Sequence, residues 1–387
     1  MIMRDFDPIP QASPKNGYLA TKEEIDAAIR KVLKSGRYIL GEEVSSFEEE
    51  FAAYIGVVFA VGVASGTDGL EIALRSCDVG PGDLVFTVSH TAVATVAAIE
   101  RCGARPVLVD IEELTYTIDS EHLEQAILAI HRNDSPLSGS RAKAIIPVHL
   151  YGQPASMRAI TDIAEKYGLS VVEDCAQAQG AAIKGQKVGS FGRLASFSFY
   201  PTKNLGGFGD GGMVVTNSQE LKQKLLALRE YGWGQRYVSS MPGINTRLDE
   251  LQAAILRVKL RLLERDNGRR REIAKIYNEA IEQTEILAPQ VRKEMTHVYH
   301  QYVVRTVSRD SLSKYLKDNS ISTAIHYPVP VHLQPAYKGR IAVGDGGLDT
   351  TERVCQEILS LPMYPHMTDL QVERVAEALV SWQRKSR

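Results

Sequence analysis

Three short stretches carry residue types that could do chemistry. In "SFSFYPTKNLGGFGDGGMVVTN", Ser196 to Asn217, one lysine, Lys203, sits between an aromatic run and five glycines. Burial lowers a lysine's pKa by penalising the ammonium form, and the neutral amine is a nucleophile that forms Schiff bases. A lysine that laid its stem on the aromatics and kept its charge in water would account for the flanking rings. It would not account for the glycines, which let backbone approach a bulky ligand closely. In "VVEDCAQAQGA" an apolar run delivers adjacent carboxylates, Glu173 and Asp174. Strand alternation sends them to opposite faces, so they do not form a paired acid and base. A lone carboxylate at a strand end can hold a protonated ring nitrogen or a metal, or cap a helix that follows. In "ASGTDG" (64–69), Ser65, Gly66 and Thr67 precede a helix whose free N–H groups and dipole favour phosphate; an ordinary N-cap is the alternative.

Phosphate site, strand-end aspartate and activated lysine, in that order, point to pyridoxal 5'-phosphate (PLP). Gly207, Gly209 and Gly212 also spell G-x-G-x-x-G, the dinucleotide fingerprint. That motif needs a helix after it, and "MVVTN" reads as a strand, so a nicotinamide oxidoreductase is set aside.

Something must bring these stretches to one place. Apolar strand-like runs at 57–63, 83–88, 105–111, 142–150 and 170–175 alternate with helical runs at 67–77, 92–103, 120–130 and 157–168. This is the signature of a mostly parallel sheet covered on both faces. Two more strands, 193–200 and 211–217, flank the glycine loop. Upstream, Thr21 and Glu24 form a capping box for a helix with Ile25, Ala28, Ile29 and Val32 on one face, and a second helix lies near Val44 to Tyr54. After Asn245, Leu248, Leu251, Ile255, Val258 and Leu262 recur at helical spacing, predicting one long amphipathic helix kinked near Asn267-Gly268. Residues 1–245 read as a large α/β domain and 246–387 as a smaller α+β domain.

The chain has 387 residues, 44% hydrophobic and 24% charged, with a net charge of -2. That near-neutral balance argues against a nucleic-acid binder, and Arg269-Arg270-Arg271 reads as a solvated helix face. The four cysteines are widely spaced with no CxxC pair, which fits a reducing cytoplasm and neither a disulfide framework nor a metal site. No apolar run reaches signal-peptide or membrane-spanning length, so a cytoplasmic protein away from the membrane is expected.

The motifs "GTDGLEIAL", "PVHLYGQPASM", "VVEDCAQAQGA", "SFSFYPTKNLGGFGDGG" and "GINTRLDELQAAILRVKL" resemble the DegT/DnrJ/EryC1 family of PLP-dependent sugar aminotransferases. The resemblance runs over nearly the whole chain and implies the aspartate-aminotransferase-like fold, PLP fold type I. It implies that Lys203 is the Schiff-base lysine and that Asp174 is the partner of the pyridinium nitrogen. Gln177 would bond the phenolic oxygen, and Gly66, Thr67 and Ser198 the phosphate. His90 would stack on the pyridine ring. Asn245 would cross a homodimer interface to the partner's phosphate, so the active sites are shared. His300, His326 and Tyr327 are candidates for lining the sugar site. Gln179 replaces a histidine common in the family, and "AVAT" after His90-Thr91 replaces a bulkier pair. Members that dehydrate sugars have histidine in place of the lysine, so Lys203 favours transamination. The implied reaction moves an amino group from glutamate to a nucleotide-linked keto-sugar, and the subgroup resembled acts on dTDP-3-keto-6-deoxyhexoses. A C4-keto substrate, a PLP-dependent dehydratase and a non-enzymatic sensor are the rivals.

Overall fold

The computed structural model describes residues 7–132, 137 and 139–386. Strands β1 (Phe59–Val63), β2 (Asp83–Val88), β3 (Arg105–Val109), β4 (Arg141–Ile145), β5 (Ser170–Asp174), β6 (Leu194–Ser198), β7 (Gly212–Thr216) and β8 (Ala342–Val343) form one eight-stranded sheet. Its order is β1-β7-β6-β5-β4-β2-β3-β8, and only the β1–β7 and β7–β6 pairings are antiparallel. β2, β5 and β7 are buried along their whole length, which is why their sequences read as near-continuous apolar runs. Helices Gly66–Ser76, Val93–Arg101, Ser120–His131 and Met157–Tyr167 cover the sheet. The parallel strands β1, β2, β5 and β6 bring their carboxyl ends to one edge, where open α/β sheets take ligands.

Four expectations need correction. Thr21 does not build a capping box: a short helix, Pro14–Ala20, runs directly into Lys22–Ser35, and the Thr21 hydroxyl donates back to Gly17 O at 2.9 Å. The long helix is two helices, Glu250–Leu260 and Leu263–Ile281, with the break at Arg261-Leu262. Asn267 and Gly268 lie inside the second one. The Asn267 amide donates out of the helix to Gln179 O at 2.9 Å, so it does not compete with the helix backbone. Arg270 is not on a solvated face; it is buried and donates to Tyr299 O (3.1 Å) and Met363 O (2.9 Å). Finally, the boundary at residue 245 is not a boundary of packing. β8 extends the large sheet from within the C-terminal part, and helix Glu250–Leu260 packs on the two N-terminal helices, with Ile255 and Val258 against Ile25.

The G-x-G-x-x-G reading fails as expected, because Gly212 opens β7 rather than a helix. The aromatics before Lys203 have their own role. Phe197 and Phe199 are core residues packed on helix Glu42–Ile55, with the Phe51 and Phe197 rings 5.0 Å apart and Phe47 and Phe199 5.3 Å apart.

Candidate active site

The ends of β5 and β6 lie side by side, with Asp174 opposite Ser196 in the register. β7 pairs with β6 through Ser198 and Gly212, and β1 ends beside it at Val63. The helix that begins at Gly66 therefore points its N-terminus at the strand edge that holds Ser198. Ser65 caps this helix, accepting from Asp68 N at 3.1 Å, so the ordinary-cap reading is correct as far as it goes. It leaves the N–H groups of the first turn without intrahelical partners. The fit around them is tight. A Cβ on Gly66 would stand 2.8 Å from Ser198 Cβ, and one on Gly212 would stand 2.5 Å from the Ser65 carbonyl carbon. Gly66 and Ser198 thus meet where a helix N-terminus faces a strand end, and such free N–H groups and hydroxyls favour an anion.

Asp174 follows in the chain at the end of β5, and no helix begins there for it to cap. It accepts from Thr95 Oγ1 at 2.8 Å and Ala176 N at 3.1 Å. Burial pushes its pKa up, against these two bonds and the nearby Lys203. A buried carboxylate with so few donors is suited to a cationic partner. Its neighbour Glu173 turns the other way, as the alternation requires. It accepts from His149 Nε2 (3.0 Å) and the backbone N–H groups of Gly189 (2.8 Å), Phe191 (2.8 Å) and Gly192 (2.7 Å). His149, Glu173 and Cys175 lie close enough to suggest metal ligands. The three backbone donors on Glu173 instead mark it as a structural hub.

Lys203 stands on a turn closed by its own N–H to Tyr200 O at 2.8 Å. Its amine has no hydrogen bond or ion pair among the described residues. Desolvation pulls it down to about 8, opposed by Asp174. The glycines that follow do not serve a ligand's approach in the way their spacing suggests. A Cβ on Gly206 would meet Pro201 O at 2.5 Å and one on Gly207 would meet Gln252 Oε1 at 2.6 Å, so they let the loop pack on the chain itself.

Around this centre, Gln177 accepts from Tyr151 N at 2.7 Å and donates to Tyr327 Oη at 3.1 Å. Burial raises the Tyr327 phenol to about 12. His326 shares its Nδ1 with Ser360 Oγ at 2.8 Å, and burial, helped by the charge of Lys203, lowers it to about 4. His300 is buried and lowered for the same two reasons, and its Nδ1 has no partner among the described residues. Gln177, Asp174, Lys203, His300, His326 and Tyr327 thus converge. Asn245 lies apart from them, exposed on the surface.

His90 requires correction. It is fully buried, with Nε2 on Tyr151 Oη at 2.7 Å and Nδ1 on Cys355 Sγ at 3.2 Å, and its ring meets Tyr116 and Tyr151 edge-on. It offers no open face to a ligand; its place is in the wall behind the site.

Thr95 is the residue the sequence did not single out, although it lies in "AVAT". Its hydroxyl, in turn paired with Thr91 Oγ1 at 3.0 Å, is the only side-chain donor to Asp174 among the described residues. Thr95→Val keeps the shape and strips that donor from a buried carboxylate. We expect a loss of about 1–3 kcal/mol in urea unfolding at pH 7.5. Unchanged stability would show that the bond contributes nothing net.

A doubly covered, mostly parallel sheet, an anion cradle at a helix N-terminus, a buried strand-end carboxylate and a desolvated lysine define the class of PLP-dependent aminotransferases of fold type I. The chain belongs to the DegT/DnrJ/EryC1/StrS aminotransferase family, whose model matches residues 20–380. A transaminase of Aneurinibacillus thermoaerophilus named for dTDP-3-amino-3,6-dideoxy-alpha-D-galactopyranose is 46% identical over 358 residues, 92% of this chain and 95% of its own. A pleiotropic regulatory protein of Geobacillus stearothermophilus is 41% identical over 379 residues, 97% and 99% of the two chains. The crystal structure of Streptomyces venezuelae DesV in complex with a ketimine intermediate superposes with a TM-score of 0.92 at 44% identity, covering 98% of this chain and 99% of that one. No helix among the described residues is long and apolar enough to cross a membrane.

Proposed function

We propose that this aminotransferase moves an amino group from glutamate to the 3-keto group of a dTDP-linked 6-deoxyhexose, in the cytoplasm, as a homodimer. The observation that carries this reading is the convergence of Lys203 and Asp174 beside the helix N-terminus where Gly66 meets Ser198. PLP, when bound, supplies an electron sink for the carbanion left by deprotonation of the donor. The chain's own groups do the rest. Gly66, Thr67 and Ser198 hold the phosphate. Asp174 keeps the proton on the ring nitrogen, and Gln177, through its amide, holds the phenolic oxygen. Lys203 attaches the cofactor. Once free, its Nζ removes the proton from the donor's α-carbon and, in the return half, delivers one to the sugar carbon that receives the amine.

His300, His326 and Tyr327 line the sugar side. Both imidazoles are neutral at pH 7, and with His326 Nδ1 on Ser360 and His300 Nε2 beside Gln301, each has one ring nitrogen left for a sugar hydroxyl or carbonyl, which suits a sugar better than a diphosphate. Exposed Asn245, beside the exposed ring of Tyr231, supports a second copy covering this surface and receiving Asn245 at its phosphate. The regulatory name of one relative keeps a sensor as the second reading, but a binder has no use for a desolvated amine.

Purified enzyme given glutamate alone should form one equivalent of 2-oxoglutarate per active site and stop, then turn over when a dTDP-3-keto-6-deoxyhexose is added. Binding of the sugar with no 2-oxoglutarate formed would favour the sensor. Loss of water from the sugar with no amino sugar formed would favour a dehydratase, amination of only a 4-keto sugar would move the regiochemistry, and a fully active monomer would remove the shared site.

A further inference from the structure

Lys203 also lines a small pocket that opens to solvent. It has a volume of about 50 Å³ and lies between the Lys203 loop, helix Leu263–Ile281 and the segment after residue 363. At roughly 10–15 Å³ per water it has room for a few waters or one small ion. Its charge is lopsided. Lys203, Lys259 and Arg270 face a single carboxylate, Asp266, which is already taken up by Arg265 at 2.9 and 3.1 Å. Lys259 commits one of its three donors, to Gly206 O. Tyr364, also in the wall, is only 3% exposed, and its hydroxyl has no partner among the described residues. A buried hydroxyl left in this way is destabilising unless something accepts its proton.

We propose that this cavity is a binding site for one small monovalent anion, a halide or a carboxylate group, held by the Tyr364 hydroxyl and the Lys259 ammonium. Burial lowers Lys259 to about 8 and Arg270 to about 10, the behaviour of cations short of counter-charge. The anion supplies that charge next to Lys203. Two sources share this chemistry: a free anion of the medium, and a carboxylate of the amino donor. The site itself does not depend on the substrate proposed above.

The test uses the holoenzyme with bromide as the probe. Crystals soaked in sodium bromide should show an anomalous peak within hydrogen-bonding distance of Tyr364 Oη and Lys259 Nζ. In solution, sodium bromide should raise the melting temperature above that in sodium gluconate of equal ionic strength. Tyr364→Phe and Lys259→Met should each weaken bromide binding roughly tenfold, the worth of one charge-assisted bond. Displacement of bromide by 2-oxoglutarate, with a raised KM for glutamate and an unchanged KM for the keto-sugar in Tyr364→Phe, assigns the site to the donor. Indifference to 2-oxoglutarate assigns it to a free anion. Only water in the cavity, bromide seen in soaked crystals but not in solution, or equal bromide affinity in both variants and wild type overturns the proposal.

Discussion

Lys203→Ala abolishes turnover while leaving the fold intact. The loss should be at least about a thousandfold, because the substitution removes both the nucleophile and the proton carrier. The fold survives because the amine makes no hydrogen bond or ion pair among the described residues, and the turn that presents it is closed by backbone. Capture of the cofactor tests the same group without substrate. Only the neutral amine attacks the aldehyde carbon, and burial brings this amine to about 8. The rate at which the cofactor-free protein takes up PLP should therefore climb as pH rises through about 8 and then level off. A lysine in water would still be climbing near its ordinary value of about 10.4. Borohydride reduction followed by peptide mass analysis should find the cofactor on Lys203 in the wild type and nowhere in the variant. Retained activity in Lys203→Ala, or attachment at Lys259, would remove Lys203 from its role.

The sequence showed which residues matter more clearly than why their neighbours are there. Asp174 and Lys203 were legible because a carboxylate ending an apolar strand and an amine flanked by rings and glycines are costly unless used. The sheet was legible because buried parallel strands are apolar throughout, whereas the helices between them are not. The reasons offered for the surroundings fared worse. Phe197 and Phe199 pack into the core away from the amine, and Gly206 and Gly207 make room for Pro201 and Gln252. Both are long-range contacts that no local pattern encodes. His90 has a polar side chain at a strand end, like Asp174, and only tertiary packing against Tyr151 and Cys355 separates a wall residue from a ligand. The helix break at Arg261-Leu262 escaped because Asn267-Gly268 is the stronger local breaker. The amide of Asn267 finds partners outside its helix, and Gly268 is spared by the surrounding turns. β8 was invisible because two residues carry no period.

Asp174→Asn should cost about a hundredfold or more in kcat and nothing in the stability of the cofactor-free protein. The kinetic loss follows from removing the negative charge that keeps a proton on the ring nitrogen, an electrostatic contribution typically worth about 10²–10³ in rate. The stability half follows from linkage. Burial raises the carboxyl pKa above its unfolded value, so the folded chain binds this proton more tightly than the unfolded one. Stability from this group is therefore fully present below the unfolded pKa, near 3.9, and declines as pH rises through the raised folded value. At pH 7.5 the ionised carboxylate is a burden that Lys203 only partly relieves, and a neutral amide removes it, its oxygen accepting from Ala176 N and its NH2 donating to the Thr95 hydroxyl, which turns to donate to Thr91. Urea unfolding of the cofactor-free variant at pH 7.5 should give a midpoint equal to or above that of wild type, with kcat measured on the reconstituted enzyme. Nearly full activity would show that the ring proton is held elsewhere. A fall in activity matched by a fall in cofactor-free stability would make Asp174 a structural residue, as Glu173 is one position earlier, and would leave the desolvated amine without its electrostatic partner.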